Sequence, residues 1–178
     1  MQQNIILIGM MGSGKTTIGK LISQRINYPF FDSDHVIEEK CGASIATIFS
    51  LEGEQGFRRR ETEVIRSLCM QKNIVIATGG GAVLNLQNRE LLKNNGIVIY
   101  LKANVEALWQ RTSQDKTRPL LDQENPRQVL ENIYQNRDAI YISMANYTVD
   151  TSKSNIASLM IQILSFIKSY SNNAMFNF

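Results

Sequence analysis

The 178-residue sequence has little of several features that mark whole classes of protein. It has only two cysteines, Cys41 and Cys69, whose spacing fits neither a zinc site nor a disulfide framework, as is typical of a reducing cytoplasm. It has no run of the roughly 18–20 apolar residues that cross a bilayer, and residues 1–4 lack the basic stretch of a secretory signal. The net charge of +3 is too small to indicate a nucleic-acid or membrane surface. The sequence therefore predicts a small cytoplasmic enzyme or binding protein.

Short apolar runs alternate along the chain with stretches of helical periodicity. We predict buried strands at 5–8, 74–77 and 97–101, and weaker strands at 29–31 and 147–149. We predict helices at roughly 15–26, 34–41, 54–72, 86–94, 104–112, 126–145 and 155–169. Strands that alternate with helices pair in parallel, so the fold class is α/β, with a sheet between two helical layers.

No repeat or linker divides the sequence, so we expect one domain over residues 1–169 and a loosely held tail at 170–178. A polar stretch at about 112–125, which contains Arg118, joins two predicted helices. An ordinary surface loop is one interpretation. A lid that closes over a ligand is the other, because long loops inside compact domains often have that role.

A complete phosphate-binding motif lies between the first predicted strand and the first predicted helix. Its sequence is Gly-Met-Met-Gly-Ser-Gly-Lys-Thr at residues 9–16, which matches G-x-x-x-x-G-K-[ST] in full. Glycines allow backbone N–H groups to surround phosphate oxygens, and the helix N-terminus adds partial positive charge. Lys15 would reach the β- and γ-phosphates, and the Thr16 hydroxyl would bind Mg²⁺. The sequence contains no Asn-Lys-x-Asp guanine motif, which favours ATP.

Asp32 and Asp34 follow the second predicted strand, at the end of the sheet where ligands of α/β proteins bind. Residues two apart on an extended segment point the same way, so one carboxylate would serve Mg²⁺ and the other a substrate hydroxyl. Asp34 as the N-cap of the next helix is an equally good interpretation. The neighbouring His35, the sequence's single histidine, fits a helix start better than a base.

Arginines occur on two predicted helices. In the first, Arg58 has Glu61 three residues later, which would hold its guanidinium in place. Arg59 and Arg60 fit a solvated basic patch. In the second, Arg137 continues a row at spacing four that is otherwise apolar or aromatic: Val129, Ile133, Arg137 and Tyr141. A buried arginine needs an anion, which is either an internal carboxylate or a ligand.

Three glycines, Gly79, Gly80 and Gly81, directly follow the predicted strand at 74–77. A tight turn needs only one or two glycines, whereas three at the carboxyl end of a strand favour close approach of the backbone to a ligand.

The order and spacing of six segments resemble the shikimate kinase family, small P-loop kinases of aromatic amino-acid biosynthesis. The resemblance extends over roughly residues 4–165 and is carried by segments 6–19, 31–34, 53–61, 76–81, 111–121 and 136–141. It implies a P-loop kinase fold of the nucleoside monophosphate kinase type, in which a five-stranded parallel sheet has strand order 2-3-1-4-5. It also implies phosphorylation of the 3-hydroxyl of shikimate by ATP with one Mg²⁺ ion. ATP and shikimate would be the only partners of a monomer.

The resemblance also assigns roles to single residues. Catalysis would involve Lys15, Asp34 and Arg118. ATP would be bound by Gly12, Ser13, Gly14, Lys15, Thr16, Thr17, Arg111, Arg118 and Lys153. Shikimate would be bound by Asp34, Arg58, Gly79, Gly80, Gly81 and Arg137. Mg²⁺ would be bound by Thr16 directly and by Asp32 through water.

Two other hypotheses keep the phosphate loop. A kinase of the same architecture that acts on another small hydroxy acid, such as gluconate, would give different roles to Asp34, Arg58 and the three glycines. A nucleotide-dependent regulatory module would leave Arg137 and the three glycines without a role. An assay of ADP release with a panel of hydroxy acids separates the two kinase hypotheses.

Overall fold

The five strands of the protein form one parallel sheet in a computed structural model, which describes residues 3–113, 124–153 and 155–173. The strands are β1 (Asn4–Ile8), β2 (Phe30–Asp32), β3 (Val75–Ala77), β4 (Gly96–Lys102) and β5 (Tyr147–Asp150). Their order is β2-β3-β1-β4-β5, and every neighbouring pair is parallel. The predicted α/β class and the implied strand order are confirmed.

Helices connect the strands and cover both faces of the sheet. They are α1 (Lys15–Ile26), α2 (Ser33–Cys41), α3 (Ile45–Cys69), α4 (Leu86–Asn95), α5 (Val105–Thr112), α6 (Pro126–Met144) and α7 (Ile156–Asn173), with a 3₁₀ turn at Ala82–Leu84. Among these described helices, none has the length and apolar character that crossing a bilayer demands. Residues 114–123, which make up most of the predicted lid and include Arg118, lie outside the described residues.

Alternate residues of the central strand β1 enter two separate cores. Ile6 and Ile8 pack into the larger core, which α2 to α6 cover, whereas Ile5 and Leu7 pack into the core beneath α1 and α7. All four side chains are at most 2% exposed. A strand that is buried on both faces has no polar alternation, which is why the sequence shows it as a continuous apolar run.

Helix α3 begins at Ile45, nine residues before the predicted start. The Ser44 hydroxyl caps it by accepting the N–H of Thr47 at 3.2 Å. A kink at Gly53, with φ of 69° and ψ of −177°, separates the unpredicted first part from the predicted second part. Only glycine adopts these angles without strain, so the helix changes direction there.

Helix α7 extends to Asn173, beyond the predicted end of the helix at residue 169. The Tyr170 ring packs on Phe166 with a centroid distance of 5.6 Å, and its hydroxyl lies 3.4 Å from the Asn146 side-chain nitrogen. These contacts hold the last turn in place. Residues 174–178 lie outside the described part of the chain.

Candidate active site

Two adjoining cavities open at the carboxyl end of the strands. The first, of about 510 Å³, is named here the Arg137 cavity, and all six predicted substrate residues line it: Asp34, Arg58, Gly79, Gly80, Gly81 and Arg137. The second, of about 460 Å³, is the Lys15 cavity, and seven predicted nucleotide or metal residues line it: Gly12, Gly14, Lys15, Thr16, Thr17, Asp32 and Arg111. Asp34, Gly80 and Met11 line both cavities, so a ligand of one meets a ligand of the other there.

The phosphate loop enters helix α1 through two glycines with left-handed backbone angles, Gly12 at φ 76° and Gly14 at φ 95°. Gly14 occupies the N-cap position without any side-chain hydrogen bond. The first amides of α1 and its positive dipole end therefore face the Lys15 cavity, as an anion requires. The Lys15 ammonium donates to the carbonyl oxygens of Gly9 and Met10 at 2.9 and 2.8 Å, which places its charge against the loop.

Asp32, and not Asp34, is the N-cap of α2. Its Oδ1 accepts the N–H of Asp34 at 3.2 Å, and its Oδ2 accepts the Thr16 hydroxyl at 2.7 Å. The interpretation of Asp34 as the cap is therefore wrong. The prediction that Asp32 and Asp34 point the same way from one extended segment is also wrong, because Asp34 lies in the first helical turn. His35 is exposed and lies 3.2 Å from Glu39 on the same helix, which fits the predicted helix-start role.

Asp34 is the most strongly perturbed carboxyl group that lines either cavity. Burial raises its pKa to about 7, and the charges of Asp32 and Glu61 add to this effect against Lys15 and Arg58. Its Oδ1 is buried and has no hydrogen-bond partner among the described residues. A carboxylate in this state accepts a proton near neutral pH and has an oxygen available for a ligand hydroxyl.

Two glycines of the triplet are required by the side chains that pack on them. A Cβ on Gly79 would lie 2.5 Å from Asp34 Oδ1, and a Cβ on Gly81 would lie 2.5 Å from Arg58 Nη2. The Gly79 N–H also donates to the Ser33 hydroxyl at 2.9 Å. The glycine backbone therefore lies close to two charged side chains of the protein itself, Asp34 and Arg58, and the absence of a Cβ allows these side chains to reach the cavity.

Arg58 and Glu61 form the pair that their spacing predicts. Arg58 Nη1 donates to Glu61 Oε2 at 2.9 Å, and Nη2 reaches Glu54 Oε1 at 3.3 Å. Glu61 is 1% exposed, and its burial raises its pKa against the lowering effect of Arg58. Arg60 differs from the predicted solvated patch, because its guanidinium forms an ion pair with Glu52 across the kink in α3.

Arg137 lies on the buried side of α6, as its row predicts, and is 7% exposed. Its Nη1 atom is buried and has no hydrogen-bond partner among the residues that the structure describes. A buried guanidinium nitrogen without a partner is costly, and an anionic ligand would satisfy it. Arg58 and Arg137 together give one wall of the cavity a positive charge suited to a carboxylate.

Arg111 and Thr151 contact the backbone of the phosphate loop. Arg111 donates to the carbonyl oxygens of Gly12 and Thr151 at 3.2 and 2.6 Å. The buried Thr151 hydroxyl lies 3.2 Å from the Ser13 carbonyl oxygen. Within the described part of the chain, two predicted nucleotide residues do not line the Lys15 cavity: Lys153, which is exposed, and Ser13, whose side chain is buried.

The apolar lining of the Arg137 cavity was not predicted from the sequence. Ile45, Ala46 and Phe49 come from the first part of α3, which was not predicted, and Phe57 and Met11 complete the apolar lining. The signal that finds this part of α3 is Ser44 followed by apolar residues at helical spacing.

Comparison with known proteins gives a consistent family. The shikimate kinase family model matches residues 11–168. The shikimate kinase of Burkholderia lata is 50% identical over 161 residues, which cover 90% of this chain and 88% of that protein. A solved structure of shikimate kinase from Acinetobacter baumannii in complex with shikimate has a TM-score of 0.91 and 48% identity, covering 95% of this chain and 94% of that one.

A gluconokinase structure from Sinorhizobium meliloti has a TM-score of 0.62 at 15% identity, covering 98% of this chain and 97% of that chain, and it shares the fold alone. The family model covers residues 11–16 of the phosphate loop, the acidic pair, the three glycines and the two arginines that line the Arg137 cavity. The chain belongs to the shikimate kinase family.

Proposed function

We propose that the protein transfers the γ-phosphoryl group of ATP to the 3-hydroxyl of shikimate, giving shikimate 3-phosphate and ADP. The observation that carries the proposal is the meeting of the two cavities at Asp34 and Gly80. A phosphate loop lines one cavity, and two arginines line the other. This arrangement brings a nucleotide phosphate and a hydroxylated carboxylic acid into contact at a single carboxylate, and phosphoryl transfer depends mainly on such positioning.

The Arg137 cavity would hold shikimate by its two polar ends. Arg58 and Arg137 bind the carboxylate, and the buried Nη1 of Arg137 supports this role because it has no partner among the described residues. Asp34 binds ring hydroxyls through Oδ1, and Gly79, Gly80 and Gly81 line the pocket between the two ends. A ring acid whose hydroxyls lie on the side of the ring away from its carboxylate matches this distribution of charge.

The Lys15 cavity would hold ATP. Backbone amides of residues 12–16, including that of the buried Ser13, and the Lys15 ammonium neutralise the phosphates, with Thr17 beside them. Arg111 and Lys153 contribute to the adenine end. Arg118, which lies outside the described residues, is proposed to reach the phosphates from the lid and, with Lys15 and Asp34, to complete the catalytic set.

The residues beside Lys15 fit a magnesium ion. Thr16 and Asp32 bring a hydroxyl and a carboxylate oxygen together, and hard oxygen donors of this kind are those Mg²⁺ prefers, with water and phosphate as its other ligands. We therefore propose Thr16 as a direct ligand and Asp32 as one that acts through water. The ion, when bound, neutralises negative charge on the phosphates.

Asp34 would orient the 3-hydroxyl and take up its proton. Its pKa of about 7 supports the second role, because the carboxylate accepts a proton near neutral pH and releases it at higher pH. The phosphoryl group passes from ATP to the hydroxyl oxygen, the O–H proton goes to Asp34, and ADP is the leaving group.

Purified protein with MgATP should release ADP only when shikimate is added. The matched test replaces shikimate by gluconate in the same assay. ADP release with gluconate and none with shikimate would overturn the proposal in favour of the other small-acid kinase.

We further propose that the protein is a cytoplasmic monomer. The cytoplasmic location is supported by the two free cysteine thiols, as in most proteins of a reducing compartment. Size-exclusion chromatography with light scattering tests the monomer.

A further inference from the structure

Tyr141 lies at the back of the catalytic cleft, on α6 and one turn beyond Arg137. Its side chain is 0% exposed, and its ring stacks on Tyr100 with a centroid distance of 4.9 Å. Its hydroxyl donates to the carbonyl oxygen of Gly80 at 2.5 Å. The same hydroxyl is 3.8 Å from the Met10 sulfur of the phosphate loop. The buried Tyr141 hydroxyl therefore contacts both the glycine loop (residues 79–81) and the phosphate loop (residues 9–16).

The glycine loop and the phosphate loop meet at Gly80. A Cβ on this residue would lie 3.5 Å from the Met11 amide nitrogen and 3.6 Å from the Gly9 carbonyl oxygen, so the glycine loop rests on the phosphate loop. Gly80 also lines both cavities. The position of its peptide group consequently sets the spacing between the phosphoryl donor and the acceptor.

The Tyr141 hydroxyl is a permanent hydrogen-bond donor. Burial raises its pKa to about 12, against the opposing effects of the Arg137 charge and of a hydrogen bond with that arginine, so it keeps its proton at neutral pH. A buried carbonyl that loses its donor is unsatisfied, and its loop relaxes toward another partner.

We propose that Tyr141 is a positioning residue of the phosphoryl transfer, which holds the Gly80 carbonyl and thereby fixes the glycine loop against the phosphate loop. The inference rests on the proposed function for its kinetic consequence. Its structural consequence, the anchoring of residues 79–81, is independent of the proposed function.

Tyr141→Phe tests the proposal, because it removes the hydroxyl and keeps the ring that packs on Tyr100. Tyr100→Phe is the matched control, since it also removes one buried hydroxyl, which donates to Asp138 at 2.7 Å, and Tyr100 lines neither cavity. We expect kcat for shikimate to fall about tenfold in Y141F, because small displacements of reacting groups are costly. The KM for ATP should stay unchanged, and Y100F should keep wild-type kinetics. Thermal unfolding identifies loss of stability, which we expect in both variants.

Hydrogen exchange of the peptide covering residues 79–84 is the second readout and needs no turnover. Faster exchange there in Y141F than in Y100F supports the anchoring role. Equal exchange and equal kinetics in the two variants would overturn the inference. If the wild-type protein releases no ADP with shikimate, the proposed function fails, and the exchange comparison alone still decides the role of Tyr141.

Discussion

Arg58 and Glu61 are joined by a hydrogen bond of 2.9 Å at the wall of the Arg137 cavity, with Glu61 on the buried side. The carboxylate has almost no access to water and depends on the guanidinium for its charge partner. The guanidinium, in turn, is held against Gly81, where no larger residue fits. This pairing places the positive charge at the cavity before any ligand arrives, so little side-chain entropy is lost on binding.

Glu61→Gln keeps the shape of the side chain and removes its charge. Breaking this buried ion pair from one side leaves Arg58 with the longer, exposed contact to Glu54, so we expect a loss of roughly 3 kcal/mol in the free energy of unfolding. The KM for shikimate should also rise. Urea unfolding and steady-state kinetics measure the two effects. Glu54→Gln is the control, because Glu54 contacts the same arginine from an exposed position and should cost about 1 kcal/mol or less. Equal losses in the two variants would contradict this account.

Gly81→Ala introduces a methyl group where the Arg58 guanidinium lies. The three nearest guanidinium atoms would be 2.5, 2.6 and 2.8 Å from the new Cβ, so the arginine must move. We expect weaker shikimate binding by calorimetry and unchanged ATP binding. Gly42→Ala is the comparison, because a Cβ there meets nothing within 4 Å and its φ of 62° costs only conformational strain. That variant should lose stability and keep its affinity for shikimate. A Gly81→Ala protein with wild-type affinity would show that Arg58 is not needed in its observed position.

Arg137→Ala removes the arginine whose Nη1 has no partner among the described residues. A charge-assisted carboxylate bond contributes about 1.5–3 kcal/mol, so the KM for shikimate should rise by roughly 10- to 100-fold while the KM for ATP stays the same. Arg127→Ala, on the same helix, is the control because its ion pair with Glu106 is exposed. A parallel loss of ATP affinity in Arg137→Ala would exclude a specific carboxylate role.

Asp34 makes the stability of the protein depend on pH. Its pKa is about 7 in the folded chain, against an ordinary value of 3.8 for an aspartate in water, so the folded state binds its proton more tightly than the unfolded chain does. This contribution is fully present below pH ~4 and is lost as the pH rises through about 7, by an amount on the order of 4 kcal/mol. Asp34→Asn, which mimics the protonated group, should remove this dependence. Relative to wild type, the variant should therefore gain stability between about pH 4 and pH 8 in urea unfolding. A difference that stays constant over that range would refute the raised pKa.

Local signals in the sequence predicted the parts of the site that depend on local structure. The phosphate loop is one uninterrupted motif, and α1 begins and ends at the residues expected, 15 and 26. The buried position of Arg137 followed from its row on α6. The strand order, in contrast, came from the family resemblance. The alternation of helices and strands predicts parallel pairing but does not predict which strands are neighbours in the sheet.

Contacts between distant residues were not predictable from the pattern. The hydrogen bond from Tyr141 to Gly80 joins positions 61 apart, and no periodicity indicates it. The role of Asp32 as the cap of α2 was missed because Asp34 is an equally good capping residue type at a neighbouring position. The first part of α3 was missed because Gly53 interrupts the helical pattern, although the backbone continues into a second helix after the kink.

Asp34 and Gly80 belong to the linings of both cavities, and this has a consequence for inhibition. A compound that occupies the space above these two residues displaces both substrates. It would therefore raise the apparent KM for ATP and for shikimate together, whereas a compound confined to either cavity would compete with one substrate only. The junction between the cavities is thus a target at which a high concentration of either substrate protects the enzyme from the same compound.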